Sequence, residues 1–212
     1  MKAFETLTNP SARLARLLRV CAAALALSSP AGLPQVVHAA NVTAPPVPDT
    51  LRVPMGNKAF RVGHAVGTQS YICQPSGATF AWTFVKPQAT LSDDNHEQIV
   101  THFLSTNQFE TPAAARPTWQ DSVDTSRVWG KAIANSSDPN FVAGGAIPWL
   151  LLQVVGSQPG PTGGTALTAT TFLQRLTTSG GVAPSTGCAQ STDVGNTALV
   201  PYTADYFFYK AE

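Results

Sequence analysis

Short runs of β-branched and aromatic residues alternate with clusters of Gly, Pro, Asn and Ser along most of the chain. Runs of this length, bounded by turn-forming residues, are typical of strands. Two of them, residues 69–74 and 78–85, flank Pro75-Ser76-Gly77, and this arrangement predicts a hairpin. The further predicted strands are residues 98–103, 127–133, 149–155, 166–177 and 202–209.

Two of the predicted strands have the pattern of central strands. Residues 149–155 are apolar except for Gln153, and residues 206–209 are all aromatic, so that both faces of each strand are suited to burial. Amphipathic helical spacing is almost absent from the sequence. The pattern therefore predicts an all-β fold, an antiparallel sandwich or barrel of about seven to nine strands with little helix, formed by a single domain over residues 55–212.

The stretch between Asn107 and Thr118 interrupts this pattern. It contains three consecutive alanines between Pro112 and Pro117. Neither residue type favours a strand, so we predict a long loop that could contain one helical turn. A loop of this length in a compact domain is either functional or disordered.

The first 39 residues have the pattern of a secretory signal peptide. Four basic residues precede a short apolar stretch at residues 20–27. Val37-His38-Ala39 supplies small residues where signal peptidase cleaves, so cleavage is expected after Ala39. An Arg-rich mitochondrial presequence is the alternative. Residues 40–54 are rich in Pro and are predicted to form an extended, solvated lead-in to the domain.

Removal of the signal peptide changes the charge balance. It would leave nine of the thirteen basic and eleven of the twelve acidic side chains, a net charge of −2 with His neutral. No basic stripe is left for a phosphate backbone, so nucleic acid is not expected as a partner. No later apolar run approaches the roughly 20 residues of a membrane helix, and no integral membrane segment is predicted.

Cysteine use agrees with export. The sequence has three cysteines, and Cys21 lies in the predicted signal peptide, which leaves Cys73 and Cys188. A single pair in an exported chain predicts one disulfide bond and a secreted or periplasmic location. The alternative is that both thiols are buried and unpaired.

Motifs of several common enzymes are missing from the sequence. No Gly-x-Gly-x-x-Gly turn joins a predicted strand to a helix, and no phosphate-binding Gly-Lys-Ser or Gly-Lys-Thr occurs. We therefore predict no nucleotide and no nicotinamide-dependent dehydrogenase chemistry, and no cofactor. No Gly-x-Ser-x-Gly motif indicates a serine hydrolase.

Histidine provides the weak catalytic candidates. His96 and His102 are six positions apart, which does not match the His-Glu-x-x-His zinc motif, and no metal site is predicted. His102 remains a candidate general base or ligand, assisted by Asp124 and near Trp119. A hydrogen-bonded or surface histidine is the competing interpretation.

Other side chains suggest binding or structural roles. Trp119 and Trp129 flank a polar segment and, if exposed, would form a platform for sugar rings, although core packing is the alternative. Polysaccharide or cell-envelope material is therefore the predicted partner class. Arg175 and Asp205 are charges within strand-like runs, and we predict a structural ion pair between them or hydrogen bonds to the backbone.

Several stretches of the chain, taken in order, also match a known pattern. They are Tyr71-Ile72-Cys73, Trp82-Thr83-Phe84, Pro87-Gln88-Ala89-Thr90-Leu91, Ala146-Ile147-Pro148-Trp149-Leu150-Leu151, Phe172-Leu173-Gln174-Arg175, Gly180-Gly181-Val182-Ala183-Pro184, Gly187-Cys188 and Val200-Pro201-Tyr202-Thr203-Ala204-Asp205-Tyr206. Together they resemble a family of small exported microbial proteins of uncharacterised function, some of which carry an inherited label of malate dehydrogenase.

The resemblance implies export, a β-rich domain and a shared cysteine pair, and it implies no established activity. The chain departs from the family pattern between His102 and Trp119, which are usually close in sequence, and at Asp124-Thr125-Ser126, where Asp-Gly-Ser is usual. Two hypotheses result: an exported ligand-binding or structural module, or an extracellular enzyme built around His102, Asp124 and Trp119.

Overall fold

The computed structural model describes residues 42–212, and in this range eight strands form a closed antiparallel barrel. The predicted all-β fold is confirmed, and of the two predicted architectures the barrel is the correct one. The predicted signal peptide over residues 1–39, which includes Cys21, lies outside the described residues. The strands are Asn57–Ser76 (β1), Thr79–Ser92 (β2), Gln98–Asn107 (β3), Ala114–Asp121 (β4), Arg127–Ser136 (β5), Trp149–Gln158 (β6), Thr170–Gly180 (β7) and Thr197–Ala211 (β8).

Strand β1 closes the barrel because it pairs with both β2 and β8. Its register with β8 runs from Asn57 opposite Ala211 to Ile72 opposite Thr197. The predicted hairpin is confirmed, since Ser76 pairs with Thr79 across the turn between β1 and β2. The sequence pattern predicts a strand only at residues 69–74 of β1, because the first half of β1 contains Gly63 and few β-branched residues, and Gly67 follows it.

Gly67 allows β1 to approach β2 closely. A Cβ at this position would overlap the carbonyl oxygen of Gln88 and the side chain of Ala89. Backbone atoms cannot give way as a flexible side chain can, so any larger residue at position 67 would force the two strands apart.

The predicted loop between Asn107 and Thr118 is wrong over its second half, where β4 lies. All eight residues of β4 pair with β3, from Ala114 opposite Asn107 to Asp121 opposite Val100. Only Thr118, Trp119 and Gln120 pair with β5. Pro117 therefore lies where β4 has a single neighbour, an edge position of the kind that tolerates proline in a sheet.

Large side chains fill much of the barrel interior. The inward-facing core includes Trp119, Tyr206, Phe208, Leu91 and Leu152, each no more than 2% exposed. These residues come from four different strands, and the alternation of side chains along each strand directs them to one interior.

A second apolar cluster covers the outside of β6, β7 and β8. Leu51, Trp149, Leu151, Leu176 and Phe207 are its buried members, together with Val142 and Tyr209. Leu51 belongs to a 3₁₀ turn at Asp49–Leu51, and its carbonyl accepts a 2.6 Å hydrogen bond from the Gln174 side chain. The lead-in is thus packed against the barrel at Leu51, and the expectation that it is solvated throughout is wrong.

The disulfide bond between Cys73 and Cys188 is confirmed, with a Cα–Cα distance of 5.4 Å. Cys73 lies on β1, and Cys188 lies in the connection between β7 and β8. Backbone hydrogen bonds from Cys73 to Asn196 and from Gly195 to Cys73 fasten the same connection to β1. In the range 42–212 no helix has the length and apolar character needed to cross a membrane.

Removing this bond should destabilise the fold. Because it closes a loop spanning 115 residues, the double variant Cys73→Ser/Cys188→Ser should lose about 3–5 kcal/mol of unfolding free energy. Urea denaturation with and without reductant measures the effect. Reductant should shift the midpoint of the wild type and leave that of the double variant unchanged; identical midpoints for all four samples would contradict the expectation.

Candidate functional site

One half of the barrel interior contains a partly open cavity of about 270 Å³. It lies toward the C-terminal ends of the odd-numbered strands and the N-terminal ends of the even-numbered ones, where the connection between β5 and β6 also contributes Ile147 and Pro148. Most of the wall is apolar and comes from Phe84, Pro87, Pro117, Ile147, Leu150 and Leu152.

Three aromatic side chains that pack against one another, His102, Trp119 and Tyr206, form the aromatic cluster of the cavity wall. The rings of His102 and Trp119 are parallel to within 12°, with centroids 4.4 Å apart. Tyr206 lies 5.1 Å from His102 and 5.5 Å from Trp119, in tilted and edge-on arrangements. Because β3 and β4 pair with His102 opposite Trp119, the hairpin brings together two residues that are 17 positions apart in sequence.

Burial keeps His102 neutral. Its side chain is 2% exposed, and Nδ1–H donates a 2.9 Å hydrogen bond to the carbonyl oxygen of Thr118, which leaves Nε2 as an acceptor. Desolvation lowers the pKa of His102 to about 3, against the smaller opposing effect of the Thr118 bond. A base this weak is poorly matched to proton abstraction near neutral pH.

Arg175 is the one charged residue among those described in the cavity wall. Its Nη2 and Nε atoms donate to the carbonyl oxygen of Pro148, at 2.8 and 3.3 Å. The predicted ion pair with Asp205 is wrong, whereas the backbone alternative is correct for Arg175. Arg175 is opposite Tyr206 in the pairing of β7 with β8, so the adjacent Asp205 points to the other face of the sheet.

Asp205 instead belongs to a polar cluster on the outside of the barrel. Its Oδ1 lies 2.6 Å from His64 Nδ1, its Oδ2 accepts a hydrogen bond from Thr177, and His64 Nε2 lies 2.9 Å from Asp94. Hydrogen bonds to Asp205 and Asp94 raise the pKa of His64. This cluster links β1, β7, β8 and the β2–β3 turn. The sequence does not predict it, because its members are far apart in the chain.

Two further donors in the cavity wall are buried without a partner. The indole nitrogen of Trp119 makes no hydrogen bond, and the side-chain nitrogen of Gln69 makes none of good geometry, although it lies near the Tyr202 hydroxyl; Trp119 and Gln69 are 1% and 3% exposed. A buried donor that stays unpaired costs about 1–3 kcal/mol, and native proteins contain few of them. These two therefore mark a place where the protein lacks an acceptor.

The structure does not bring Asp124 to His102. Asp124 lies in the turn between β4 and β5, where its Oδ1 accepts hydrogen bonds from the backbone and hydroxyl of Ser126 and its Oδ2 accepts one from the Ala166 backbone. Asp121, at the end of β4, is held by Arg61 through a 2.6 Å ion pair. Both carboxylates thus have structural partners, and neither lines the cavity.

The predicted exposed tryptophan platform is wrong. Trp119 and Trp129 are 1% and 4% exposed, and they lie on opposite faces of the barrel wall. Trp129 is on the outer face, where its indole nitrogen donates to Ser105 and its ring contacts Phe109 edge-on at 5.7 Å. Core packing, the alternative interpretation, is correct for both residues.

In the part of the chain that the structure describes, no three His, Cys, Asp or Glu side chains come close enough to hold a metal ion together. The polar groups of the cavity are instead suited to hydrogen bonding with a small molecule.

Comparison with known proteins identifies a family without an assigned activity. Residues 54–210 match the family model described as "Protein of unknown function (DUF3455)". No curated protein and no solved structure matches the chain. Because the matched residues make up most of the chain, the protein belongs to this family, as the resemblance to an uncharacterised family predicted.

The neutrality of His102 can be tested by pH. Its folded-state pKa of about 3 lies below the ordinary value of 6.5, so the unfolded chain binds the additional proton as the pH falls between these values. Stability should therefore fall with decreasing pH in this window, by up to about 1.4 kcal/mol per unit from this residue.

An NMR titration of the imidazole resonances measures this directly. The His102 signals, assigned by their loss in His102→Gln, should keep the neutral chemical shifts down to about pH 4. A midpoint close to 6.5 would contradict the burial argument. The stability difference between wild type and His102→Gln should also become less favourable to the wild type as the pH falls.

Proposed function

We propose that this member of the DUF3455 family is an exported ligand-binding protein that holds one small molecule inside its barrel. The observation that carries the proposal is the cavity of about 270 Å³ with apolar walls and a few polar groups. Cavities of this composition are the usual sites of small-molecule binding.

The cavity size limits the ligand. Small-molecule pockets commonly have volumes of about 300–1,000 Å³, and an engineered apolar cavity of about 150 Å³ binds benzene. A volume of about 270 Å³ therefore suits a molecule of one or two rings. The interior of an eight-stranded barrel is in general just wide enough for side chains or for one small ligand.

Binding is favoured over catalysis by the state of the candidate catalytic residues. His102 is a weak base with a pKa of about 3, and the carboxylates of Asp124 and Asp121 have structural partners elsewhere. The enzyme hypothesis built on His102, Asp124 and Trp119 therefore lacks the proton acceptor that it needs. A surface for polysaccharide also loses its support, since both tryptophans assigned to it are buried.

Export is supported by two independent features. The N-terminal sequence has the order of charged, apolar and small residues that the secretion machinery recognises. The second feature is the Cys73–Cys188 disulfide bond, since thiols are kept reduced in the cytosol and disulfide bonds are rare there. We therefore place the ligand in the extracytoplasmic environment.

Processing of the full chain in a secreting bacterial host tests the export part. Mass spectrometry of the exported product should give a mature protein that begins at Ala40 and contains one disulfide bond. The variant Ala39→Arg should accumulate as the uncleaved precursor, because signal peptidase requires a small residue before the cut. Recovery of the wild type with an intact leader and free thiols would refute export.

Ligand binding is tested with indole as a neutral two-ring probe. NMR titration of the purified disulfide-bonded protein should shift the methyl resonances of Ile147, Leu150 and Leu152 and the indole resonance of Trp119. Leu150→Trp fills the cavity and should abolish these shifts. Leu199→Trp, at a position that is 68% exposed, is the matched control and should bind as the wild type does.

Binding that shifts only surface resonances would contradict this site. Since the mapping on the wild type is decisive by itself, the test holds even if Leu150→Trp fails to fold.

A further inference from the structure

The cavity contains one positive charge and no compensating negative charge. Arg175 lies in its wall, and no Asp or Glu occurs among the described residues that line it. None of the carboxylates in residues 42–212 lies within ion-pairing distance of Arg175. Neutral His102 adds no charge of either sign.

A cation without a counter-ion in a mostly apolar wall favours an anionic ligand. Arg175 is half-buried, and water and the Pro148 carbonyl oxygen solvate its guanidinium without supplying a negative charge. The positive potential of Arg175 also reaches the surrounding wall. After desolvation, the charge on Arg175 contributes to the low pKa of His102, and it opposes the burial-driven rise in the pKa of Tyr71.

The hydrogen bonds of Arg175 leave part of the guanidinium available. Nε and Nη2 both donate to the carbonyl oxygen of Pro148. Burial raises the pKa of Tyr206, and the charge of the nearby Arg175 and its contact with the Tyr206 hydroxyl oppose that rise. The edge formed by Nη1 and Nη2 is therefore not occupied by a protein carboxylate. This edge has the fork geometry that binds a carboxylate through two parallel hydrogen bonds.

The buried nitrogen donors of the wall also favour a ligand with acceptor oxygens. Gln69 and Trp119 each contribute a buried nitrogen donor without an acceptor. Donors alone do not specify charge, but together with Arg175 they favour a ligand that brings acceptor oxygens. The apolar residues Leu150, Leu152 and Ile147 and the aromatic cluster favour an apolar remainder.

We propose, building on the ligand-binding function, that the cavity selects small organic carboxylates with a flat apolar body, whose carboxylate pairs with Arg175. The aromatic cluster stacks or packs against the ring, and the carboxylate replaces the counter-ion that the protein does not provide. A neutral molecule of the same shape occupies the cavity more weakly because it leaves Arg175 uncompensated.

Two matched pairs of probes test this selectivity: benzoate against benzamide, and indole-3-carboxylate against indole-3-carboxamide. Titrations of the purified disulfide-bonded protein at neutral pH, followed by calorimetry and by the cavity methyl resonances, should show the carboxylate of each pair binding at least about tenfold more tightly. Arg175→Gln should remove the preference, and Arg175→Lys should retain part of it. Arg52→Gln, at an exposed position, is the matched control and should leave it unchanged.

The outcomes separate this inference from the proposed function. Binding of the amides as tightly as the carboxylates would overturn carboxylate selectivity and leave the ligand-binding function intact. Absence of any cavity shift with indole and with all four probes would overturn both. Equal shifts with sodium sulfate alone would also overturn the inference, since Arg175 would then bind anions in general, without recognition of the apolar ring of the ligand. The wild-type ratios decide the question even if Arg175→Gln does not fold.

Discussion

In a closed barrel every second side chain of each strand has to fit into one shared interior, and this requirement determines what the protein can do. In one half of the barrel the requirement is met by bulky residues such as Phe208, Leu91 and Val100 together with the Arg61–Asp121 ion pair. In the other half, Pro87, Pro117 and the connection between β5 and β6 form part of the wall around the cavity. The cavity is therefore a result of the inward-facing residues, and its single charge enters by the same alternation.

Much of the fold, but little of the site, could be predicted from the sequence. Dense runs of β-branched and aromatic residues identified seven of the eight strands at least in part, whereas β4 was missed because its alanines and Pro117 gain strand structure only from pairing with β3. The site depends on which face each residue occupies. The sequence places Arg175 and Asp205 in strands, but only the register, with Arg175 opposite Tyr206, shows that they point in opposite directions.

The environments of the two histidines His102 and His64 also could not be predicted from the sequence. His102 packs against the rings of Trp119 and Tyr206, whereas His64 lies between two carboxylates. Desolvation lowers the pKa of the first, and hydrogen bonds to carboxylates raise that of the second. Neither environment resembles a poised catalytic base, because one histidine is too weakly basic and the other is occupied at both ring nitrogens.

Closure of the barrel by β1 and β8 also sets the order of events during biosynthesis. Strand β1 obtains one of its two partners only from β8, which begins at Thr197, and Cys73 obtains its partner sulfur from a residue 115 positions later. A ribosome-bound fragment that ends before Cys188 therefore lacks both the strand that closes the barrel and the disulfide bond. Contacts this distant in sequence form slowly, and the barrel cannot close before β8 has been synthesised.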